Sequence, residues 1–353
     1  MIQMMSAYTT EAEEVKDAQA DALAEILKFI NIKDLKKSTV GLVNCNYDFI
    51  RTEFISELCR KLPFDIIGMT TMAGASRHGK NRHAFTLTVL TSDEVIFKTA
   101  MTRPLKPDDY EEKIETAYSA ALKNLSGNPA AILAFFPYHR ELSGTVMLKA
   151  LDKISGGIPV WGGIATNMED SYEQCCAFRN NDTYEDGIAM LMMHGPVNPE
   201  FIVVSVPEQN IRKNRGNITA SDGCVLKEIN GIPAIKYIEK QGVIIIKGAP
   251  VVSPFMVYYE GTSEPVALGV YTVNDDGSLL CGGEMPPGAS LAIGEITTEG
   301  ILASAAMGMK RLLESGKRNG ALLLPCVSRY IMLVPDHKRE MELVGSRLGN
   351  GRV

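Results

Sequence analysis

Asp65-Ile-Ile-Gly-Met-Thr-Thr71 and Ile158-Pro-Val-Trp-Gly-Gly-Ile-Ala165 are the two stretches on which the fold turns. Each is a short apolar run that ends in glycine and small polar residues. That pattern reads as a buried strand of an open sheet whose carboxyl end delivers backbone to a site. Upstream of Asp65 the spacing predicts a helix over Glu11–Ile30, with Val15, Ala18, Ala22, Ile26 and Ile30 on one stripe. A buried-type strand, Thr39–Val43, follows, then a polar loop, Asn44–Asp48. Asp48 is a candidate N-cap for a helix that buries Ile50, Phe54, Leu58 and Leu62. Downstream, Ala84–Leu90 and Val95–Ala100 read as an antiparallel pair joined by Thr91–Glu94.

The same order surrounds Ile158. Pro107 and a run of acidic residues open a helix whose face is Tyr110, Ile114, Ala117, Ala121 and Leu125. A strand, Ala131–Phe136, leads into the loop Pro137–Arg140. A helix carrying Val146, Met147, Leu151 and Ile154 stops at Gly156-Gly157. After Gly162-Gly163, Gly187–Met193 and Phe201–Val206 supply a second expected pair of strands. The pattern is an internal duplication. It predicts an α/β chain of repeated strand–helix–strand units with antiparallel strand pairs, in two packed halves. Residues 10–215 form the first half, with two copies of the unit.

From residue 216 the signals change to hairpins, with turns at Asp222-Gly223, Asn230-Gly231 and Asp275-Asp276-Gly277 and a short helix at Ala234–Lys240. A third copy then begins with a helix over Thr298–Leu313, a strand at Ala321–Leu324 and a helix at Lys338–Leu348. Its closing strand does not follow before Val353. Residues 216–353 therefore read as a second half lacking its last strand, with an unpaired sheet edge beside Ala321–Leu324 that invites homodimerisation.

Composition narrows the function. The 353 residues carry a net charge of −6, without the basic stripe that phosphate binding needs, which argues against nucleic acid as partner. No apolar run approaches a membrane span, and Met1–Met5 are not followed by a signal-peptide core. The seven cysteines read as reduced thiols, and the expected location is cytoplasmic. Signatures of hydrolases, metallopeptidases, P-loop proteins and dinucleotide-binding proteins are missing, and the five histidines lack metal-ligand spacing.

What remains is a set of strand-end loops with adaptable hydrogen-bonding groups. Thr70, Thr71, Thr166 and Asn167 offer side-chain contacts. Gly162 and Gly163 let backbone approach a ligand, and Cys326 and Arg329 lie beyond the strand expected at Ala321–Leu324. Arg329 suits a carboxylate, and Cys326 admits a rival reading as the nucleophile of a thiol-dependent enzyme.

These residues resemble the FIST family of sensory modules, found in bacteria and eukaryotes. The similarity runs through Ile67-Gly-Met-Thr-Thr-Met-Ala-Gly74, Gly162-Gly-Ile-Ala165, Asn217-Ile218 with Glu228-Ile-Asn-Gly-Ile-Pro-Ala234, Asp275-Asp-Gly-Ser-Leu279, Pro287-Gly288 and Cys326-Val-Ser-Arg329. It departs at Met69, at Ala75, where the family carries an acidic residue, and at Asn230, where aspartate is usual. The resemblance implies a FIST N-terminal part followed by a FIST C-terminal part. It also implies non-catalytic sensing of a small ligand, an amino acid or small carboxylate, and a signalling partner such as a histidine kinase or cyclase. No cofactor is expected; some members resemble haem-binding gas sensors, for which His139 is the best-placed axial residue.

Overall fold

The computed structural model describes residues 1–9, 16–76, 79–81, 85–123, 125, 127–139, 141–167, 173–246, 251–262, 264–314, 321–333 and 338–348. Glu11–Val15, His78, His83, Arg140 and Gly349–Val353 lie outside the described residues. The chain divides into two compact units, Met1–Phe201 with Gly316–Val353, and Ile202–Ser315.

The first unit begins with β1 (Gln3–Thr9), α1 (Lys16–Phe29), β2 (Ser38–Cys45), α2 (Asp48–Arg51), α3 (Phe54–Lys61) and β3 (Asp65–Thr70). A small hairpin, β4 (Gly74–Ser76) and β5 (Gly79–Asn81), precedes β6 (Phe85–Ser92). Then come β7 (Ile96–Met101), α4 (Tyr110–Leu122), β8 (Ala131–Phe136), α5 (Gly144–Ser155) and β9 (Val160–Ile164). The short strands β10 (Ala177–Arg179) and β11 (Asp182–Tyr184) lead to β12 (Ala189–His194).

The duplication is visible in the strand orders. One sheet runs β1-β6-β2-β3-β10-β11 and the other β7-β12-β8-β9. In each, a central strand has a parallel neighbour, β2 with β3 and β8 with β9, and an antiparallel one, β6 or β12. Each repeat opens with its own edge strand, β1 or β7. The expected pairing of Ala84–Leu90 with Val95–Ala100 is therefore corrected: β6 lies between β1 and β2, while β7 pairs with β12. Residues 201–206 form no strand, because both edges of β12 are already taken by β7 and β8. Asp48 does not cap its helix; Tyr47 holds the cap position, and the Asp48 amide donates to Asn46 Oδ1 at 2.9 Å.

Alternation along the strands sends side chains to two cores. Val40, Leu42, Ile67 and Leu90 of the first sheet pack with Leu133, Phe135 and Leu191 of the second. Ile26 of α1 and Leu58 of α3 cover the first sheet's other face, and Ile114 of α4 and Met147 of α5 cover the second's. Asp65 ties the two sheets together. Its carboxylate accepts from Thr99 Oγ1 on β7 at 2.6 Å, from Arg179 Nη2 at 3.0 Å and from Asn180 Nδ2 at 2.9 Å. Burial alone pushes its pKa up, but these hydrogen bonds and the Arg179 charge outweigh burial and hold it below the usual range.

His194 closes β12 with a buried ring whose Nε2 makes no hydrogen bond to a described residue. Burial first, and the Lys98 charge second, hold its pKa below the ordinary value. An unfolded chain takes up a proton near its ordinary pKa of about 6.5 that the folded chain refuses. Stability should therefore fall as pH drops below about 6.5, a slope that His194→Leu removes in denaturant titrations.

The second unit contains β13 (Ile211–Asp222), β14 (Val225–Ile229), β15 (Ile232–Pro233), α6 (Ala234–Lys240), β16 (Val251–Tyr258), β17 (Val266–Val273), β18 (Leu279–Cys281), β19 (Ser290–Gly294) and α7 (Thr298–Glu314). Its sheet runs β13-β19-β16-β17-β18-β14-β15, and β14 also pairs back onto β13. That second pairing closes an antiparallel barrel. Asn230 and Gly231, with φ of 53° and 73°, make the tight turn between β14 and β15.

The chain then returns to the first unit with α8 (Val327–Met332) and α9 (Lys338–Leu348). The expected strand Ala321–Leu324 is corrected: residues 321–326 form neither helix nor strand, so there is no sheet edge there to stand unpaired. Leu322 instead packs on the core between the sheets. Among the described residues no helix is long and apolar enough to cross a membrane.

Candidate functional site

The carboxyl ends of the two parallel strand pairs meet in the first unit. Thr71 N donates to Cys45 O at 2.8 Å, and Ala165 N to Phe136 O at 2.8 Å, extending each parallel ladder past its last strand residue. Thr166 N then reaches across to Thr70 O at 3.0 Å, and Met72 N donates to Thr166 Oγ1 at 3.1 Å. The result is a hydrogen-bonded seam that joins the end of β3 to the end of β9. The bare Cα of Gly163 makes room for Met69, since a Cβ there would lie 2.8 Å from Met69 Cε.

Six of the residues expected at the site from sequence therefore stand together: Thr70, Thr71, Gly162, Gly163, Thr166 and Asn167. Their roles differ. Thr70 is fully buried, and its hydroxyl donates to Gln174 O at 3.2 Å while accepting from Cys176 N at 2.9 Å. Asn167 is buried and donates from Nδ2 to Glu173 O at 2.6 Å. Thr71, Gly162, Gly163 and Thr166 are half-buried.

The strand-end loop expected at Asn44–Asp48 contributes one more residue beside the seam. Asn44 sits in β2, opposite Met69 on one side and Thr86 on the other, in a cross-strand row that ends at Tyr8. Its Oδ1 is buried and makes no hydrogen bond to a described residue. Buried acceptors are nearly always satisfied, so a lone one marks a missing donor. The signal was present: Asn44 interrupts Val40-Gly-Leu-Val at the alternation position shared by Val40 and Leu42, which pack between the sheets.

Beside the seam, at the end of β8, lies a cavity of about 430 Å³ bordered by Tyr138 and His139 and by the carboxylates of Glu141, Glu173, Glu185 and Asp186. Among the described residues on its wall Lys106 is the only lysine or arginine. Asn167 connects the two features through its bond to the Glu173 carbonyl. His139 Nδ1 accepts from the amides of Glu141 and Leu142, each at 3.0 Å, which leaves the ring proton on Nε2, 3.3 Å from Leu105 O. An axial bond to haem would break one of these contacts.

Cys326 and Arg329 arrive on the C-terminal segment. Cys326 is exposed at the N-cap position of α8 and makes no side-chain capping bond. Arg329 Nε donates to Glu340 Oε1 at 2.7 Å, in a pair whose side chains are 16% and 7% exposed. Tyr330 is buried close enough to Tyr8 that, after burial itself, it adds to the rise in the Tyr8 pKa. The segment therefore reaches the Tyr8 end of the row that holds Asn44.

Residues 39–232 match the FIST N domain and residues 244–353 match the FIST C domain. The chain belongs to the FIST family. FIST domains are generally sensory modules of signalling systems that bind small ligands. No curated protein matches this FIST chain. Among solved structures it is similar to one described as "Cyanuric acid hydrolase: evolutionary innovation by structural concatenation", over 84% of this chain and 100% of that one. Identity is 9% and the TM-score 0.31, a likeness too low to bear on fold or chemistry.

Proposed function

We propose that this FIST chain senses a small ligand bearing an amine, an amino acid foremost, at the seam where β2, β3, β8 and β9 end. The observation that carries the reading is Asn44 Oδ1, a buried acceptor with no donor among the described residues, one position before the Cys45 that pairs with Thr70. An ammonium or amide N–H of a ligand supplies that donor. Thr71 and Thr166 add polar contacts, while the missing side chains of Gly162 and Gly163 leave room for Ala134 and Met69 and fix the seam behind them. The acidic cavity adjoining the seam favours the same charge. Arg329, already paired with Glu340, is less suited to meet a ligand carboxylate than a free guanidinium. Binding is read out by a signalling protein, of the histidine kinase or cyclase type.

Asn44→Leu separates this role from a structural one. Removing an unsatisfied buried acceptor should leave folding stability unchanged or raised. Affinity for an amino-acid ligand should nevertheless fall by about 1–3 kcal/mol, roughly 5- to 150-fold in Kd by calorimetry. Unchanged affinity would remove Asn44 from the site.

A further inference from the structure

Two cysteines of the barrel stand opposite each other at the end of its short β14–β18 ladder. The β14–β18 ladder contains only Val225↔Leu280 and Leu226↔Leu279. One step further along the same register stand Cys224 and Cys281, and Cys281 N donates to Cys224 O at 2.9 Å. Residues directly opposed in an antiparallel pair project to the same face, with Cα atoms about 5.5 Å apart in a hydrogen-bonded pair. Disulfides occupy Cα separations of about 4.4–6.8 Å, so the backbone already stands within bonding reach. Both sulfurs are in the thiol form.

We propose that Cys224 and Cys281 form a peroxide-responsive dithiol that locks β14 to β18 and clamps the barrel. Cys224 is half-buried, in the two-residue turn that follows Asp222, whereas Cys281 is buried in the barrel core. Hydrogen peroxide therefore meets Cys224 first. The Cys224 thiolate attacks one peroxide oxygen, the O–O bond breaks, and water leaves after taking up a proton, giving a sulfenic acid. The Cys281 sulfur then attacks the Cys224 sulfur, the S–O bond breaks, and a second water leaves. In sum two thiols lose two protons and two electrons, and the peroxide is reduced to two waters.

The order of events follows from burial. Burial first, and the Cys224 charge second, push the Cys281 thiol up to about 12, so it is a poor first nucleophile but a well-placed second one. Tyr259 is within electrostatic reach of both sulfurs and donates its hydroxyl to Glu284 O at 2.8 Å, which fixes this corner of the barrel. The device is a short ladder with a covalent staple available where the ladder ends.

Mass spectrometry of the full chain, treated with hydrogen peroxide and digested under non-reducing conditions, tests the proposal. The expected product is a Cys224–Cys281 linked peptide that dithiothreitol reverses, with a higher thermal midpoint of the barrel in the oxidised protein. Cys224→Ser should yield no link and leave Cys281 reduced. Sulfinic acid at Cys224 with Cys281 still a thiol, or linkage of Cys224 to any other cysteine, would overturn the pairing. A midpoint unchanged or lowered by the bond would overturn the clamp.

Discussion

Alanine at Gly162 is expected to destabilise the first unit by about 3 kcal/mol or more, the high end for overpacking a core. β9 runs against β8 with Gly162 opposite Ala134. A Cβ built on Gly162 would lie 1.7 Å from the Ala134 carbonyl oxygen and 2.7 Å from its carbonyl carbon. Those atoms belong to the backbone of a fully buried strand and cannot swing aside. Relief requires β9 to move off β8, which would also pull Thr166 from Thr70 and open the seam. Gly163→Ala is the control. Its Cβ meets the terminal methyl of Met69, which can rotate, so the cost should stay near 1 kcal/mol or below. Urea midpoints of the two variants check the contrast, and equal midpoints would show that β9 is not held against β8 at Gly162.

Glu340→Ala is the second large effect. Arg329 and Glu340 join α8 to α9 in a pair largely withdrawn from water. Deleting one member of such a pair takes a counter-ion from a largely buried charge, typically a cost of about 3–5 kcal/mol. The loss should concentrate in residues 327–348, where amide exchange accelerates. Glu340→Gln keeps an acceptor for the guanidinium and should lose less. Exchange rates unaltered by the alanine would mean that the pair does not hold these helices.

Much of the architecture could be read before any coordinates. The runs Ala131–Phe136, Ala234–Lys240 and Lys338–Leu348 begin and end in β8, α6 and α9 where turn residues and periodicity place them. The errors share one physical cause: an apolar run specifies burial but not a partner. Ala321-Leu-Leu-Leu324 reads as a strand, yet it pairs with no strand among the described residues, and Leu323 and Leu324 remain 38% and 37% exposed. Residues 201–206 fail in the same way: the strand expected to pair with them, β12, has β7 on one edge and β8 on the other. β1 was missed for the opposite reason. Gln3-Met-Met-Ser-Ala-Tyr-Thr9 has only Thr9 as a β-branched residue, and it becomes a strand because β6 needs a second neighbour.

The candidate site was legible in part for related reasons. Glycine and threonine at strand ends announce the seam. Which hydroxyls are spent on backbone is settled by cross-strand neighbours such as Cys176, distant in sequence. Arg329 looks like a ligand's partner until Glu340 arrives from the next helix. Asn44, by contrast, reads from sequence as the start of a polar strand-end loop, and its place inside β2 with an unmatched acceptor emerges only when the donors among the described residues are accounted for.

The central claim is that the seam takes a ligand through its amine. A matched series of an amino acid, the same molecule without its carboxylate and the same molecule without its amine, titrated calorimetrically into the full chain, tests it most directly. The account predicts that the two amine-bearing compounds bind and that the deaminated acid binds at least about 10-fold more weakly, a difference of about 1.4 kcal/mol. Binding of the deaminated acid as tight as that of the amino acid, with the decarboxylated amine inert, would contradict it.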